Sequence, residues 1–267
     1  MCGISVHVLE QSASQVERAR SFELAQEMMQ SLQHRGPDAQ CMNGTELDHV
    51  FLAHNRLSII DLSSAAAQPM TSPCHRYRIT FNGELYNYKE LRTQLMDQGV
   101  VFTTDSDTEV ILASFIKYGE SALTTFRVMF AFFIWDELQL RGFAARDAFG
   151  IKPFYYHWQS KPYRFAFASE LRSLSKTLDN PTANCSAVYG FLRTGSVIEP
   201  ATLINEISTL PAGHCLWLDD GKLNIKPYAS LSDQDARTIN DRAAAVEHLR
   251  LALVSTVAAH FVSDVPV

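Results

Sequence analysis

The residue with the most chemical promise is the second one, in Met1-Cys2-Gly3-Ile4. Initiator methionine is normally trimmed when a small side chain follows it. Trimming leaves Cys2 with a thiol and a free α-amine on one carbon. The thiolate is the nucleophilic form of cysteine. An α-amine, with a pKa of about 7.7–8.0, can take the thiol proton near neutral pH. Nucleophile and base then share one residue, as they do in N-terminal-threonine enzymes. Most cysteines at position 2 have no such role, so the reading depends on what else the chain supplies.

Four further clusters could supply it, and each has a structural reading beside the chemical one. Asn82-Gly83-Glu84 follows an apolar segment. Asn-Gly is first of all a tight-turn signal. The chemical alternative is an oxyanion hole, in which the Asn82 amide and the Gly83 N–H point at one developing negative charge. Ser106-Asp107-Thr108-Glu109 reads as a helix capping box, and a carboxylate at a helix start, Asp107, is also placed to hold an ammonium. In His54-Asn55-Arg56-Leu57-Ser58-Ile59 the arginine is either a surface residue or a bidentate grip on a carboxylate. His54 reads as a hydrogen-bonded structural histidine, with no metal-ligand spacing around it. Arg146-Asp147-Ala148-Phe149-Gly150-Ile151-Lys152-Pro153 reads as a charged, glycine-kinked turn and is assigned no chemistry.

These residues need a scaffold, and composition permits one. The chain has 267 residues, 46% hydrophobic and 19% charged, enough for one large core or two small ones. A net charge of -6, without any dense Lys/Arg run, argues against a nucleic-acid partner. The longest apolar run, Val128–Trp135, is too short for a bilayer and predicts a buried strand. No signal peptide is visible. Cys2, Cys41, Cys74, Cys185 and Cys215 form no CxxC pair, which points to reduced thiols and a cytoplasmic location.

Periodicity predicts strands at Ile4–Leu9, Phe51–Asn55 and Arg76–Phe81, and several short strands between Val128 and Phe167 with turns at Phe149-Gly150 and Lys161-Pro162. Helices are predicted at Val16–Gln33, stopped by His34-Arg35-Gly36-Pro37, and at Tyr88–Gln98, Val110–Tyr118 and Ser186–Leu192. His214–Leu218 and Lys222–Lys226 form a hairpin around Asp219-Asp220-Gly221. Ser230–Asp241 reads as a linker, and Ala243–Val262 as an amphipathic helix. Strands clustered around a few helices predict an α+β layered fold of mainly antiparallel sheets. Neither GxGxxG nor GxxxxGK[ST] occurs.

Taken in order, Cys2-Gly3-Ile4, His34-Arg35-Gly36-Pro37-Asp38, His54 to Ile59, Asn82-Gly83-Glu84-Leu85-Tyr86-Asn87, Ser106 to Glu109, Met129-Phe130-Ala131-Phe132 and the 146–153 segment resemble the class II glutamine amidotransferase domain of glutamine-hydrolysing asparagine synthetases. Leu210-Pro211-Ala212-Gly213-His214 and Ser263-Asp264-Val265-Pro266-Val267 extend the resemblance over essentially the whole chain. It implies the four-layer αββα sandwich of N-terminal-nucleophile hydrolases, an α+β fold of two antiparallel sheets. It implies that Cys2, freed of Met1, attacks the side-chain amide of L-glutamine and that Asn82 and Gly83 hold the oxyanion. Arg56, with Leu57 and Ile59 alongside, is implied to bind the α-carboxylate end. Asp107 and Glu84 are implied to hold the α-ammonium. The products are glutamate and ammonia.

The resemblance further implies a glutaminase domain over 2–229, then a linker and the first helix of a synthetase domain over 230–267. No metal and no cofactor is expected for the glutaminase step. ATP and Mg are expected only with the synthetase domain, whose SGGxDS loop is not in the chain, so the chain reads as a fragment in which the helix 243–262 exposes an apolar face. The expected partners are L-glutamine and a synthetase domain in cis, with room for a homodimer, and neither nucleic acid nor membrane. Val6 and Val128 stand where the family usually has glycine, which puts close packing near the nucleophile in question. Two alternatives stay open: a non-catalytic docking domain, and an amidotransferase serving an acceptor other than aspartate.

Overall fold

The computed structural model describes residues 1–160, 163–230 and 239–265. Its strands are β1 (Gly3–Leu9), β2 (Ala39–Asn43), β3 (Val50–Arg56), β4 (Met70–Thr71), β5 (Tyr77–Leu85), β6 (Val128–Asp136), β7 (Arg141–Arg146), β8 (Tyr155–Ser160), β9 (Tyr163–Ala168), β10 (Ser208–Thr209), β11 (His214–Asp219) and β12 (Lys222–Pro227). The helices are α1 (Gln15–Ser31), α2 (Tyr88–Asp97), α3 (Asp107–Tyr118), α4 (Leu171–Leu174), α5 (Cys185–Thr194) and α6 (Arg242–His260). The predicted turn at Lys161-Pro162 and residues 231–238 of the predicted linker lie outside the described residues.

The strands form two antiparallel six-stranded sheets, ordered β10-β8-β9-β1-β3-β2 and β12-β11-β7-β6-β5-β4. Period-2 alternation explains how they stack. On β1, Ile4, Val6 and Val8 meet Phe133, Trp135 and Phe165 in a core between the sheets. The opposite face of β1 turns to α1, where His7 reaches Ser21 and Met28. On β6, Ala131, Phe133 and Trp135 face the other sheet. Phe130, Phe132 and Ile134 face the helical layer, packed with Leu95, Val110, Ile111 and Phe115 of α2 and α3. Both faces of β6 are therefore buried, which is why Val128–Trp135 is continuously apolar instead of alternating. Each fully buried phenylalanine contributes about 1.5–3 kcal/mol. The result is the expected αββα sandwich.

Val6 is fully buried in the core between the sheets, and Val128 packs against the outer one. Core packing absorbs both departures from glycine. The hairpin at Asp219-Asp220-Gly221 forms as predicted, with φ of 40° at Asp220 and 71° at Gly221, the pattern of a type I′ turn.

Three expectations need correction. Asn82-Gly83 is not a turn: β5 runs straight through it, with Asn82 opposite Ala131 and Gly83 opposite Phe130 of β6. The glycine serves close packing, since a Cβ there would lie 2.4 Å from the Met129 carbonyl oxygen. The capping box of α3 is half formed. Ser106 caps by accepting from the Thr108 N–H at 3.2 Å. Glu109 does not reach back to Ser106; it accepts instead from the N–H and hydroxyl groups of Thr103 and Thr104 at 2.7–3.2 Å. Finally, α6 buries none of its residues. Val246, Leu249, Leu253 and Val257 form an exposed stripe, with Leu251 exposed on the opposite side, so the helix is less cleanly amphipathic than its sequence suggests. Among the described residues no helix is long and apolar enough to cross a membrane.

Candidate active site

The site lies where one end of each sheet meets the start of α3. Pairing of β1 with β3 puts Gly3 opposite Asn55, which brings Cys2 beside Arg56. Glycines permit this approach. A Cβ on Gly3 would lie 2.8 Å from Leu32 Cβ, and one on Gly36 would lie 2.2 Å from the Asn55 carbonyl oxygen. Arg35 fixes the backbone of residue 2: its Nε donates to the Cys2 carbonyl at 3.0 Å while its Nη1 donates to Glu170 at 3.2 Å. His34 meets the same carboxylate at 2.8 Å. The helix-stop motif thus also anchors Cys2.

A cavity of about 130 Å³ opens over Cys2. All eight residues singled out from sequence line it: Cys2, Arg56, Leu57, Ile59, Asn82, Gly83, Glu84 and Asp107. Met1 also forms part of the wall. The Cys2 Sγ accepts from the Leu57 N–H at 3.4 Å and faces the Leu57 carbonyl at 3.7 Å. Burial pushes the thiol above its ordinary pKa, while the Leu57 N–H, the amino terminus and Lys152 pull the other way. Burial lowers the pKa of the Met1 amine.

Asn82 is 1% exposed, and its Nδ2 has no hydrogen-bond partner. A buried amide left unpaired costs about 1–3 kcal/mol, so this donor stands ready for an acceptor in the cavity. Gly83 N–H adjoins it. Arg56 is buried against the loop that follows β3. Its Nη1 donates to the Ser63 carbonyl at 2.8 Å and its Nη2 to the Asp61 carbonyl, which leaves further N–H donors of the five on a guanidinium.

The opposite charge sits at the α3 end. Asp107 accepts from the Leu85 N–H at 3.0 Å, yet burial raises its pKa to about 6. Glu84 rises to about 7, through burial first and the neighbouring Asp107 second, with Lys152 opposing. Two carboxylates held close in a dry site favour a cation between them.

Sequence reasoning missed Lys152. It is 4% exposed, lines the same cavity, and has its own pKa lowered by burial. The turn assigned no chemistry aims it there. Asp147 accepts from the N–H groups of Phe130, Phe149, Ile151 and Lys152 at 3.0–3.2 Å. Arg146 holds the same turn through the Gly150 and Lys152 carbonyls at 2.8 Å. The one clue in the sequence is a lysine between apolar Ile151 and Pro153, which does not distinguish a site from a surface. His54 is hydrogen-bonded, as expected of a structural histidine: it is buried, and its Nε2–H donates across the sheets to the Phe81 carbonyl at 3.2 Å, although it also forms part of the cavity wall. The pocket therefore combines a thiol, an unpaired amide donor, a guanidinium at one side and a carboxylate pair at the other.

The glutamine amidotransferase domain model matches residues 1–229. The chain is 37% identical to asparagine synthetase [glutamine-hydrolyzing] 1 of Bacillus subtilis over 272 residues, covering 100% of this chain and 41% of that protein. It is 31% identical to amidase chry2 of Gibberella zeae, covering 100% of this chain and 40% of that protein. The chain thus spans about 40% of the length of these relatives. Among solved structures, the glutamine phosphoribosylpyrophosphate amidotransferase of B. subtilis superposes with a TM-score of 0.59 at 18% identity, over 87% of this chain and 50% of that one. That likeness shows the fold, two stacked antiparallel sheets flanked by helices. The chain belongs to the glutamine amidotransferase domain family, homologous to the amidotransferase region of glutamine-hydrolysing asparagine synthetases.

Proposed function

We propose that the protein, once Met1 is removed, hydrolyses L-glutamine to glutamate and ammonia at Cys2. The observation that carries this reading is the buried, unpartnered Asn82 amide in the cavity that holds the Cys2 sulfur. In the proposed reaction the freed α-amine of Cys2 takes the thiol proton, and Sγ bonds to the substrate amide carbon. The carbonyl electron pair moves onto oxygen, where Asn82 Nδ2 and the Gly83 N–H stabilise it. Collapse breaks the C–N bond; the ammonium on residue 2 returns its proton to the departing nitrogen, and ammonia leaves. Water then hydrolyses the thioester to glutamate, with the same amine as base. Arg56 binds the α-carboxylate beside Leu57 and Ile59, while Asp107 and Glu84 bind the α-ammonium. A site that pairs both charges rejects amides lacking either one, because its own charges would be left unpaired.

In this reading residues 2–229 are the glutaminase domain and 230–267 open a synthetase domain in the same polypeptide. That domain receives the ammonia and is where ATP and Mg act; the glutaminase step uses neither. The acceptor is aspartate if the likeness to asparagine synthetases extends to function. The relative named as an amidase keeps a different acceptor in view.

Cys2→Ala should abolish glutamate release without ATP, and the mature protein should label at Cys2 with 6-diazo-5-oxonorleucine. Undiminished release from Cys2→Ala would sink the mechanism. Retention of Met1 on protein isolated from cells, seen by mass spectrometry, would leave residue 2 without its amine and favour a docking role.

A further inference from the structure

The segment after α6 returns to the active site, 203 residues along the chain from the loop it touches. Asp264 N–H donates to the Ile59 carbonyl at 2.9 Å, and Asp264 Oδ2 accepts from the Asp61 N–H at 2.8 Å. Next to this contact, Tyr86 and His260 meet with ring centroids 4.4 Å apart and a 3.1 Å hydrogen bond between the Tyr86 hydroxyl and His260 Nδ1. Val262 packs against the outer core. The segment is thus docked at three points.

Beyond Ile60, which packs against the outer core, the loop that Asp264 holds has little packing to hold it otherwise. Leu62 is 54% exposed, and Ser63, Ser64 and Ala65 are exposed too. Asp61 has φ of 48°, a left-handed conformation that a non-glycine residue keeps only when its surroundings fix it. Hydrogen bonds do the fixing. Besides the bond from its own N–H to Asp264, the Asp61 carboxylate accepts from the Asp105 N–H at 2.8 Å and from the Ser63 N–H and hydroxyl at 3.0 and 2.6 Å. The loop's carbonyls in turn hold the Arg56 guanidinium, through Asp61 and Ser63. Asp264, Asp61 and Arg56 therefore form one continuous chain of hydrogen bonds ending in the pocket.

We propose that Asp264 is a positioning residue for the glutamine site: it pins the 59–63 loop, and through the Asp61 and Ser63 carbonyls it sets where the Arg56 guanidinium stands for the substrate carboxylate. The inference rests on the glutaminase reading for its substrate, but the pinning itself does not. A carboxylate accepting a backbone N–H makes a stronger bond than a neutral acceptor. The position of residues 261–265 thereby bears on glutamine affinity, so whatever moves that segment reaches the site without touching substrate.

The test uses the chain freed of Met1, with Asp264→Ala and Asp264→Asn. Alanine removes the acceptor, whereas asparagine keeps an oxygen for the Asp61 N–H. In Asp264→Ala, amide hydrogen exchange across 59–63 should speed up, and the glutamine KM should rise about tenfold as the pinned loop falls to a tenth of the population. The kcat should stay within about twofold, since Cys2 and Asn82 are untouched. Asp264→Asn, whose amide oxygen is a weaker, neutral acceptor, should bring both readouts most of the way back toward the unsubstituted chain. Unchanged exchange, exchange that rises with no change in KM, or a kcat that falls as far as KM rises would each overturn the proposal. If Asp264→Ala does not fold, Asp264→Glu, which displaces the acceptor by one methylene, carries the same comparison. An unsubstituted chain without turnover would sink the glutaminase reading and leave the exchange measurement to decide the pinning.

Discussion

Asp107→Asn should make the protein more stable and less able to bind glutamine, with a pH signature that separates the two effects. Asp107 is 6% exposed, and burial lifts its pKa from 3.8 to about 6 despite the Leu85 N–H that it accepts. The interval corresponds to roughly 3 kcal/mol. The sign follows from proton binding. Between about pH 4 and 6 the folded carboxyl keeps a proton that the unfolded one has lost, so stability falls as pH rises through this window. Above pH 6 the full cost of burying the charge is present. Asparagine has the same shape, still offers an oxygen to Leu85 N–H and carries no charge at any pH. Its buried amide donors cost about 1–3 kcal/mol where unpaired, but that term does not vary with pH.

The stability of the variant relative to the parent should therefore rise by roughly 3 kcal/mol from pH 4 to pH 8. Urea unfolding at the two pH values reads it. With a slope near 3 kcal/mol/M, the change in midpoint difference is about 1 M. Relief of Glu84, whose own pKa is raised by the Asp107 charge, acts in the same direction. The glutamine KM of the variant should rise on the order of 10²-fold, from loss of a buried charge partner. A stability difference that does not change with pH, or one that shrinks toward pH 8, would refute the burial argument.

Two other outcomes follow from buried charges elsewhere. Lys152 favours the Cys2 thiolate, so Lys152→Met should move the pH midpoint of Cys2 alkylation by iodoacetamide upward by roughly one unit; an unmoved midpoint would show that the ammonium does not act on the sulfur. His7, His54 and His157 are buried, with pKa values lowered by desolvation to about 3, about 3 and about 4. Unfolded histidines take up protons below about pH 6.5 while these stay neutral, so stability is fully present above that pH and is lost as pH falls, by about 1.4 kcal/mol per pH unit for each. Asp107 and Glu84 oppose the trend over the same range. His54→Gln, which keeps an N–H for the Phe81 carbonyl, should lower the acid slope by about one proton; an unchanged slope would mean that His54 is protonated in the folded state.

Much of the site was legible because its residues are polar groups in short motifs at strand and helix ends. Cys2, Arg56, Asn82 and Asp107 each stand beside an apolar segment that the sequence marks clearly, and all four line one cavity. What failed was the reading of local signals that tertiary pairing overrides. Asn-Gly predicts a turn when its flanking strands pair with each other. Here β5 pairs instead with β6, 49 residues further on at the Asn82–Ala131 pair, and its other neighbour is only the two-residue β4, so the dipeptide stays inside a strand. Glu109 forsakes Ser106 because the hydroxyl and N–H groups of Thr103 and Thr104 together offer it more donors. Lys152 was hidden for a different reason. Nothing in a linear pattern says that Asp147 gathers four N–H groups and turns the lysine inward.

The site is also a place where the fold accepts cost. The Cys2 thiol and the Asp107 and Glu84 carboxyls are pushed up, the Lys152 amine is pushed down, and the Asn82 amide is left without a partner. All of these raise the free energy of the unliganded protein, and the aromatic core between and outside the sheets offsets them. In the proposed reaction glutamine relieves them at different moments. Its ammonium pairs with Asp107 and Glu84 on binding, which lowers KM but leaves the chemical barrier alone. Asn82 finds its full partner only when the carbonyl oxygen becomes an oxyanion, so its relief comes in the transition state and raises kcat. Substitutions at the carboxylate end should therefore act mainly on KM and those at Asn82 mainly on kcat, a division set by which empty-state cost each group carries.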